Sequence, residues 1–278
     1  MSAESEAPAR LLRSVSASDR GILASIGRPF RWLVTAVAMA TAVTLHAVRP
    51  LTWRRPVRDE LLRAIDVAGV RSLRVVAVMA TIVGVSVVAQ VLFWLEEVGG
   101  ELEAVREVVV SITIREIAPL FVGLILLGRG GLTVLSELSR MQREGQVRAL
   151  DARGLDPFLL LIVPRVVAFL VSMFSLTLIF IMVAFAAGYV GATAVGVSTT
   201  PAGAFVNQTL TAIGLEGALM LPLKTFGIGL AIGVVCCLSA LERQGEAADG
   251  PELLATGFLR AVLAVFLVSA AVTLLLTA

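Results

Sequence analysis

Apolar residues in this chain gather in long blocks between short polar stretches, without the alternation that marks strands. Five blocks, over 75–95, 108–135, 159–190, 215–241 and 259–277, approach or exceed the roughly 20 residues an α-helix needs to cross a bilayer. A shorter one, 32–48, has arginine on both sides. If it crossed, the arginines of 10–31 or those of 49–74 would face outward, against the preference of basic residues for the cytoplasmic side. It is therefore expected to lie in the interface as an amphipathic or re-entrant helix. The pattern predicts an all-α polytopic membrane protein with an N-terminal interfacial helix and five transmembrane helices. Residues 1–21 read as a flexible cytoplasmic N-terminus, 22–74 as the interfacial helical region and 75–278 as the membrane domain.

The polar stretches set an orientation. Twelve arginines precede residue 75, whereas acidic residues cluster at Glu96, Glu97, Glu101, Glu103 and Glu107, which are expected outside. The connection 136–157 carries Arg140, Arg143, Glu144, Arg148, Asp151, Arg153 and Asp156 and is expected in the cytoplasm. Residues 191–212, small and polar, are expected to form an outer loop. With five spans the N-terminus lies inside and the C-terminus outside.

Composition narrows the class further. The chain is 58% hydrophobic and 16% charged, whereas a soluble domain carries about a quarter charged residues. Its blocks are too long for the short strands of a β-barrel. Cys236 and Cys237 are adjacent within an apolar run and His46 is the lone histidine, so neither a disulfide framework nor a metal site is expected. The first twenty residues hold no apolar core segment of the kind a signal peptide needs. A net charge of +2 gives no reason to expect a nucleic-acid partner.

Three features could carry function. Arg115 and Glu116 interrupt the second block; Lys224, the only lysine, sits in the fourth after Pro222, with Glu216 two turns earlier. A charge at a helix centre costs about 2.5–3.5 kcal/mol on the insertion scale, and a leucine returns only about 0.3–0.6. Such groups face a cavity, pair with one another, or snorkel to the headgroups. Glu116 with Lys224 is one candidate pair. Gly128-Arg129-Gly130-Gly131 lacks the strand and the Gly-Lys-Ser/Thr of a phosphate loop, so Gly128, Gly130 and Gly131 are read as helix-packing residues. Leu135, Leu138, Met141 and Gln142 recur at helical spacing in the charged connection, as either a partner-docking helix or a solvated loop.

The same residues carry a resemblance. Arg115-Glu116-Ile117-Ala118-Pro119, Gly128-Arg129-Gly130-Gly131, Glu137-Leu138, Met141, Gln146, Ala149-Leu150, Leu155-Asp156-Pro157, Pro164-Arg165 and Lys224-Thr225 follow one another in the order of the MlaE/YrbE permease signature. The chain resembles that family from about residue 60 to its end. The resemblance implies the membrane subunit of an ABC transporter that moves lipids between the bacterial inner membrane and the cell envelope. Its implied partners are a cytoplasmic ABC ATPase, an extracytoplasmic MCE-domain lipid-binding protein, and a second permease copy in a homodimer or heterodimer. Phospholipid is the expected cargo.

Carried across, Arg115, Glu116, Glu216 and Lys224 would line or support a lipid cavity. Glu137, Leu138, Met141, Glu144, Gln146 and Leu150 would belong to a cytoplasmic coupling helix between the second and third spans. The chain departs from the pattern at Glu144-Gly145-Gln146, where the family has Thr-Glu-Gln. A glycine within such a helix costs about 1 kcal/mol relative to alanine. Glu216 also stands one place from the family's acidic position, at Gly217. No catalytic residue and no cofactor is expected. An intramembrane lipid-modifying enzyme and a structural scaffold are the alternatives, and the first lacks a nucleophile with an obvious base.

Overall fold

A computed structural model describes residues 22–49, 53–98, 112–194, 202–242 and 250–277, and throughout these the secondary structure is helical with no strand. Two compact units are distinguished, Met1–Thr41 and Ala42–Ala278. Of the acidic segment expected outside, Glu101, Glu103 and Glu107 lie outside the described residues.

The helices in chain order are α1 (Ile22–Val48), α2 (Arg55–Ala68) and α3 (Leu73–Val98), the last two joined by a 3₁₀ turn over Val70–Ser72. Then come α4 (Ala118–Leu126), α5 (Leu132–Arg143), α6 (Gln146–Ala152), α7 (Val163–Ala194), α8 (Ala202–Leu241) and α9 (Gly250–Thr277). Six stretches among the described residues are long and apolar enough to cross a membrane, Arg31–Val48 being the one nearest the N-terminus. The all-α, multi-span reading of the sequence holds.

Some boundaries differ from expectation. Helix α7 runs to Ala194 and α8 begins at Ala202, so most of the expected outer loop 191–212 is helical. Asn207, Gln208 and Thr209 are polar but break no helix, and Pro201, which does, stands just before the start. The second span also continues without interruption into the charged connection, Thr113 through Arg143. It accommodates two π-turns, Thr113–Ile117 and Leu127–Gly131, and a third, Phe158–Ile162, opens the next span. Each inserts a residue into the helical ladder and shifts the faces on either side.

Helix α2 starts with Pro56 in its first turn, where a missing N–H costs nothing. Val57, Glu60, Leu61, Ala64, Ile65 and Ala68 recur at the helical period on its inner side, while Arg58, Asp59, Leu62, Arg63 and Asp66 are exposed. This inner side packs on α7.

Helix α7 is the hub, packed against α2, α3, α4 and α8. Small residues allow the approach, since lipid gives no hydrophobic drive for helix association. A Cβ on Gly84 of α3 would stand 2.1 Å from the Ala184 carbonyl oxygen of α7. On α8, Gly229 and Gly233 meet the α7 backbone at Phe169 and Val166 respectively, at 2.9 and 3.0 Å from the same hypothetical atom. Gly130 lies against Ala68 and Phe169, and Gly131 against Leu127 and Cys236, as packing residues do. Gly128 has nothing within 4 Å, so the packing role expected of it is corrected: its surroundings would accept a side chain.

Gly84→Val should therefore separate α3 from α7 and cost about 1–3 kcal/mol, as overpacking does. Thermal unfolding in detergent would read this as a lowered midpoint, against an unchanged or raised one for Gly128→Ala.

Candidate functional site

The sequence -Arg115-Glu116-Ile117-Ala118-Pro119- sets up the site. Pro119 has no N–H, and it stands four residues after Arg115, whose carbonyl thereby loses its α-helical donor. An orphaned carbonyl within hydrocarbon must find another partner. Lys224 of α8 supplies it: its ammonium donates to the Arg115 carbonyl oxygen at 2.9 Å. The same nitrogen lies 2.6 Å from Glu116 Oε1 and donates to Thr273 Oγ1 of α9 at 2.9 Å. Thr273 also donates to Glu116 Oε1 at 2.8 Å.

Three hydrogens on Lys224 thus meet three acceptors, and its side chain is 0% exposed. The charge is neutralised inside the fold, and the ammonium has no donor left for a ligand. The pairing of Glu116 with Lys224 is realised, but the lysine joins three segments and does not line an open surface. Thr273 was missed in the sequence because a threonine in an apolar run carries no signal of its own. The spacing of Arg115 to Pro119 was the available clue to the lysine's partner.

Glu116 keeps 35% of its side chain exposed, and Arg115 is half-buried with no ion pair among the described residues. These two reach the surface of the knot. The side chain of Glu216 lies outside the described residues.

At the other end of the bundle, α5 and α6 form the charged connection. Gly145, between them, has φ of +74° and no atom near a would-be Cβ. It is not in mid-helix, as the sequence reading had it; it ends α5 in a left-handed conformation that other residues adopt at a cost of about 1–2 kcal/mol. Gly154 closes α6 with the same φ, Leu155 N–H donating to the Leu150 carbonyl and Gly154 N–H to that of Asp151. Asp156 Oδ1 then accepts the Phe158 N–H at 2.9 Å.

Helix α6 has no buried residue. Met141 and Leu150 are half-buried, Glu144 and Gln146 exposed, with Gln146 Nε2 donating to Glu144 Oε2 at 2.5 Å. Leu138 is fully buried in this chain's own core, beside Leu135. Its expected place on a docking face is corrected: one amphipathic stripe of α5 faces the bundle. Glu137 turns instead toward Arg165 of α7, whose Nη2 also meets Glu60 of α2.

Lys224→Met should destabilise the fold by about 3 kcal/mol, the low end for breaking a buried pair because Glu116 is partly solvated. Adding Glu116→Gln should recover part of that loss. Thermal unfolding in a double-mutant cycle checks both, and additive effects would deny the coupling.

Comparison with known proteins agrees with the signature. The chain is 26% identical over 251 residues to a probable ABC transporter permease protein of Synechocystis sp., which covers 90% of this chain and 92% of that one. A probable ABC transporter permease protein of Rickettsia typhi is 29% identical over 191 residues, 68% of this chain and 72% of its own. Over 137 residues, 49% of this chain and 51% of the relative, identity to the intermembrane phospholipid transport system permease protein MlaE of Haemophilus influenzae is 29%. A profile of the MlaE permease family matches residues 61–275, which include both the knot and the connection. The chain is a multi-pass membrane protein that belongs to the MlaE permease family of ABC transporter permeases.

Proposed function

We propose that the chain is the lipid-conducting subunit of an ATP-driven transporter that moves phospholipid between the bacterial inner membrane and the cell envelope. The observation that carries this reading is Arg115. It is half-buried among helices suited to hydrocarbon, with no ion pair among the described residues, beside a Glu116–Lys224 pair that already cancels its own charge. A guanidinium there favours a phosphate headgroup, which it can hold with parallel N–H donors. Lys224, with its hydrogens taken, sets the position of Arg115 and leaves the headgroup to it. Glu216, on the same helix as Lys224, completes the polar set.

The chain carries no hydrolytic machinery in this reading, and ATP is spent by a cytoplasmic ATPase docked on Met141, Glu144, Gln146 and Leu150. The exposed α6, held between two left-handed glycines, suits such docking. An MCE-domain lipid-binding protein meets the opposite end, and a second permease copy closes the lipid cavity. Exposed Arg58, Arg63, Arg140, Arg143, Arg148 and Arg153 gather on α2, α5 and the α6 region, which supports a cytoplasmic placement of this end and of the N-terminus. Helix α1 then lies in the cytoplasmic interface.

Purification of the tagged chain from its host in mild detergent should retain the ATPase, the MCE-domain protein and phospholipid. Leu150→Asp should release the ATPase without loss of insertion. In reconstituted vesicles Arg115→Gln should slow phospholipid transfer by about tenfold, the loss of one charge-assisted contact. A chain that purifies alone and free of lipid would sink the transporter reading.

A further inference from the structure

Arg165 is a buried charged group that the lipid site leaves unused. It follows Pro164 at the start of α7, and its side chain is 4% exposed. A buried guanidinium persists only where anions hold it. Two do: Glu60 Oε1 of α2 at 3.0 Å and Glu137 Oε2 of α5 at 3.3 Å, both on the same nitrogen, Nη2. Nη1 is equally buried and has no hydrogen-bond partner among the described residues. One end of a planar fork thus holds two helices, and the other end is an unused donor pair.

The three helices differ in kind. Helix α7 is the hub of the bundle, α2 is the amphipathic helix whose outer face carries Arg58 and Arg63, and α5 leads into the exposed α6. Glu137, 39% exposed on its side chain, is the looser of the two carboxylates; Glu60, at 19%, is the firmer. If α5 shifts along its axis, the Glu137 carboxylate can pass from Nη2 to Nη1 while Glu60 holds Nη2. The guanidinium keeps a partner throughout, so neither position leaves a buried charge alone. A lysine has one nitrogen and offers no second station.

We propose that Arg165 is a positioning residue for transport: a two-station joint through which movement of α5 is passed to α2 and α7. This rests on the reading of the α5–α6 connection as the ATPase dock. It adds the route by which the stroke enters the bundle, and it gives α2, through Glu60, a part in that route.

The test uses the intact complex in proteoliposomes, measuring ATP hydrolysis and phospholipid transfer together. Arg165→Lys, which keeps the charge, and Glu137→Gln and Glu60→Gln, which keep the shape, should each retain the ATPase and hydrolyse ATP. Transfer per ATP should fall by about fivefold or more, the range of a coupling free energy. A merely structural role would lower the unfolding midpoint and leave that ratio alone. Should Arg165→Lys not fold, the two glutamine variants decide. An unchanged ratio in both overturns the joint while the transporter reading stands. Loss of the ATPase from the Glu137→Gln complex also overturns it, since Glu137 would then belong to the dock itself. If the unmodified complex holds no ATPase, the docking reading fails first and the joint with it.

Discussion

Inside hydrocarbon no water is available to a carbonyl that has lost its donor, and the core of this fold is arranged around one such carbonyl. Pro119 takes the donor from Arg115, and the only lysine of the chain crosses from α8 to replace it. An ammonium so placed must be neutralised and its other hydrogens bound, which brings in Glu116 and Thr273. One proline thereby ties the second span to α8 and α9. Arg115, left at the margin of that knot with its side chain free of ion pairs among the described residues, owes its placement to the same constraint.

Packing around the knot follows a second rule of the same solvent. With no hydrophobic gain from leaving lipid, helices associate where their backbones can come close. Gly84, Gly229 and Gly233 bring α3 and α8 onto α7 at different levels along its length. The π-turns at Thr113–Ile117 and Leu127–Gly131 let the second span present Glu116 to α8 and α9 while placing Gly130 against Ala68 and Phe169. Polar contacts within the bundle fix the partners, and glycines fix the distances.

Much of this was legible in the sequence. Long apolar blocks gave the helical class, and the cost of a buried charge made a pair of Glu116 and Lys224 a natural candidate. Gly130 and Gly131, read from the sequence as packing residues, have close neighbours in the bundle. What escaped the sequence depends on long-range neighbours. A helical stripe holding Leu138 and Met141 does not say whether it faces its own bundle or a partner, and Leu138 faces the bundle. Gly145 looks like a weak point in a helix until its φ shows that it ends one. Arg165 appeared as half of a Pro-Arg motif, because Glu60 and Glu137 are distant from it in the chain. The start of α8 at Ala202 was masked by polar residues that a helix tolerates.

The two left-handed glycines that bracket α6 have a consequence for how such proteins diversify. Gly145 and Gly154 are held by backbone conformation alone, with open space around each, and nothing between them is buried. Folding therefore places little demand on the exposed side chains of Gln146, Arg148 and Ala149. Changes at Val147 and Arg148, which lie between the signature residues, can suit a different binding partner while the packing of the helical core stays as it is. Recognition and architecture can evolve here at different speeds within one chain.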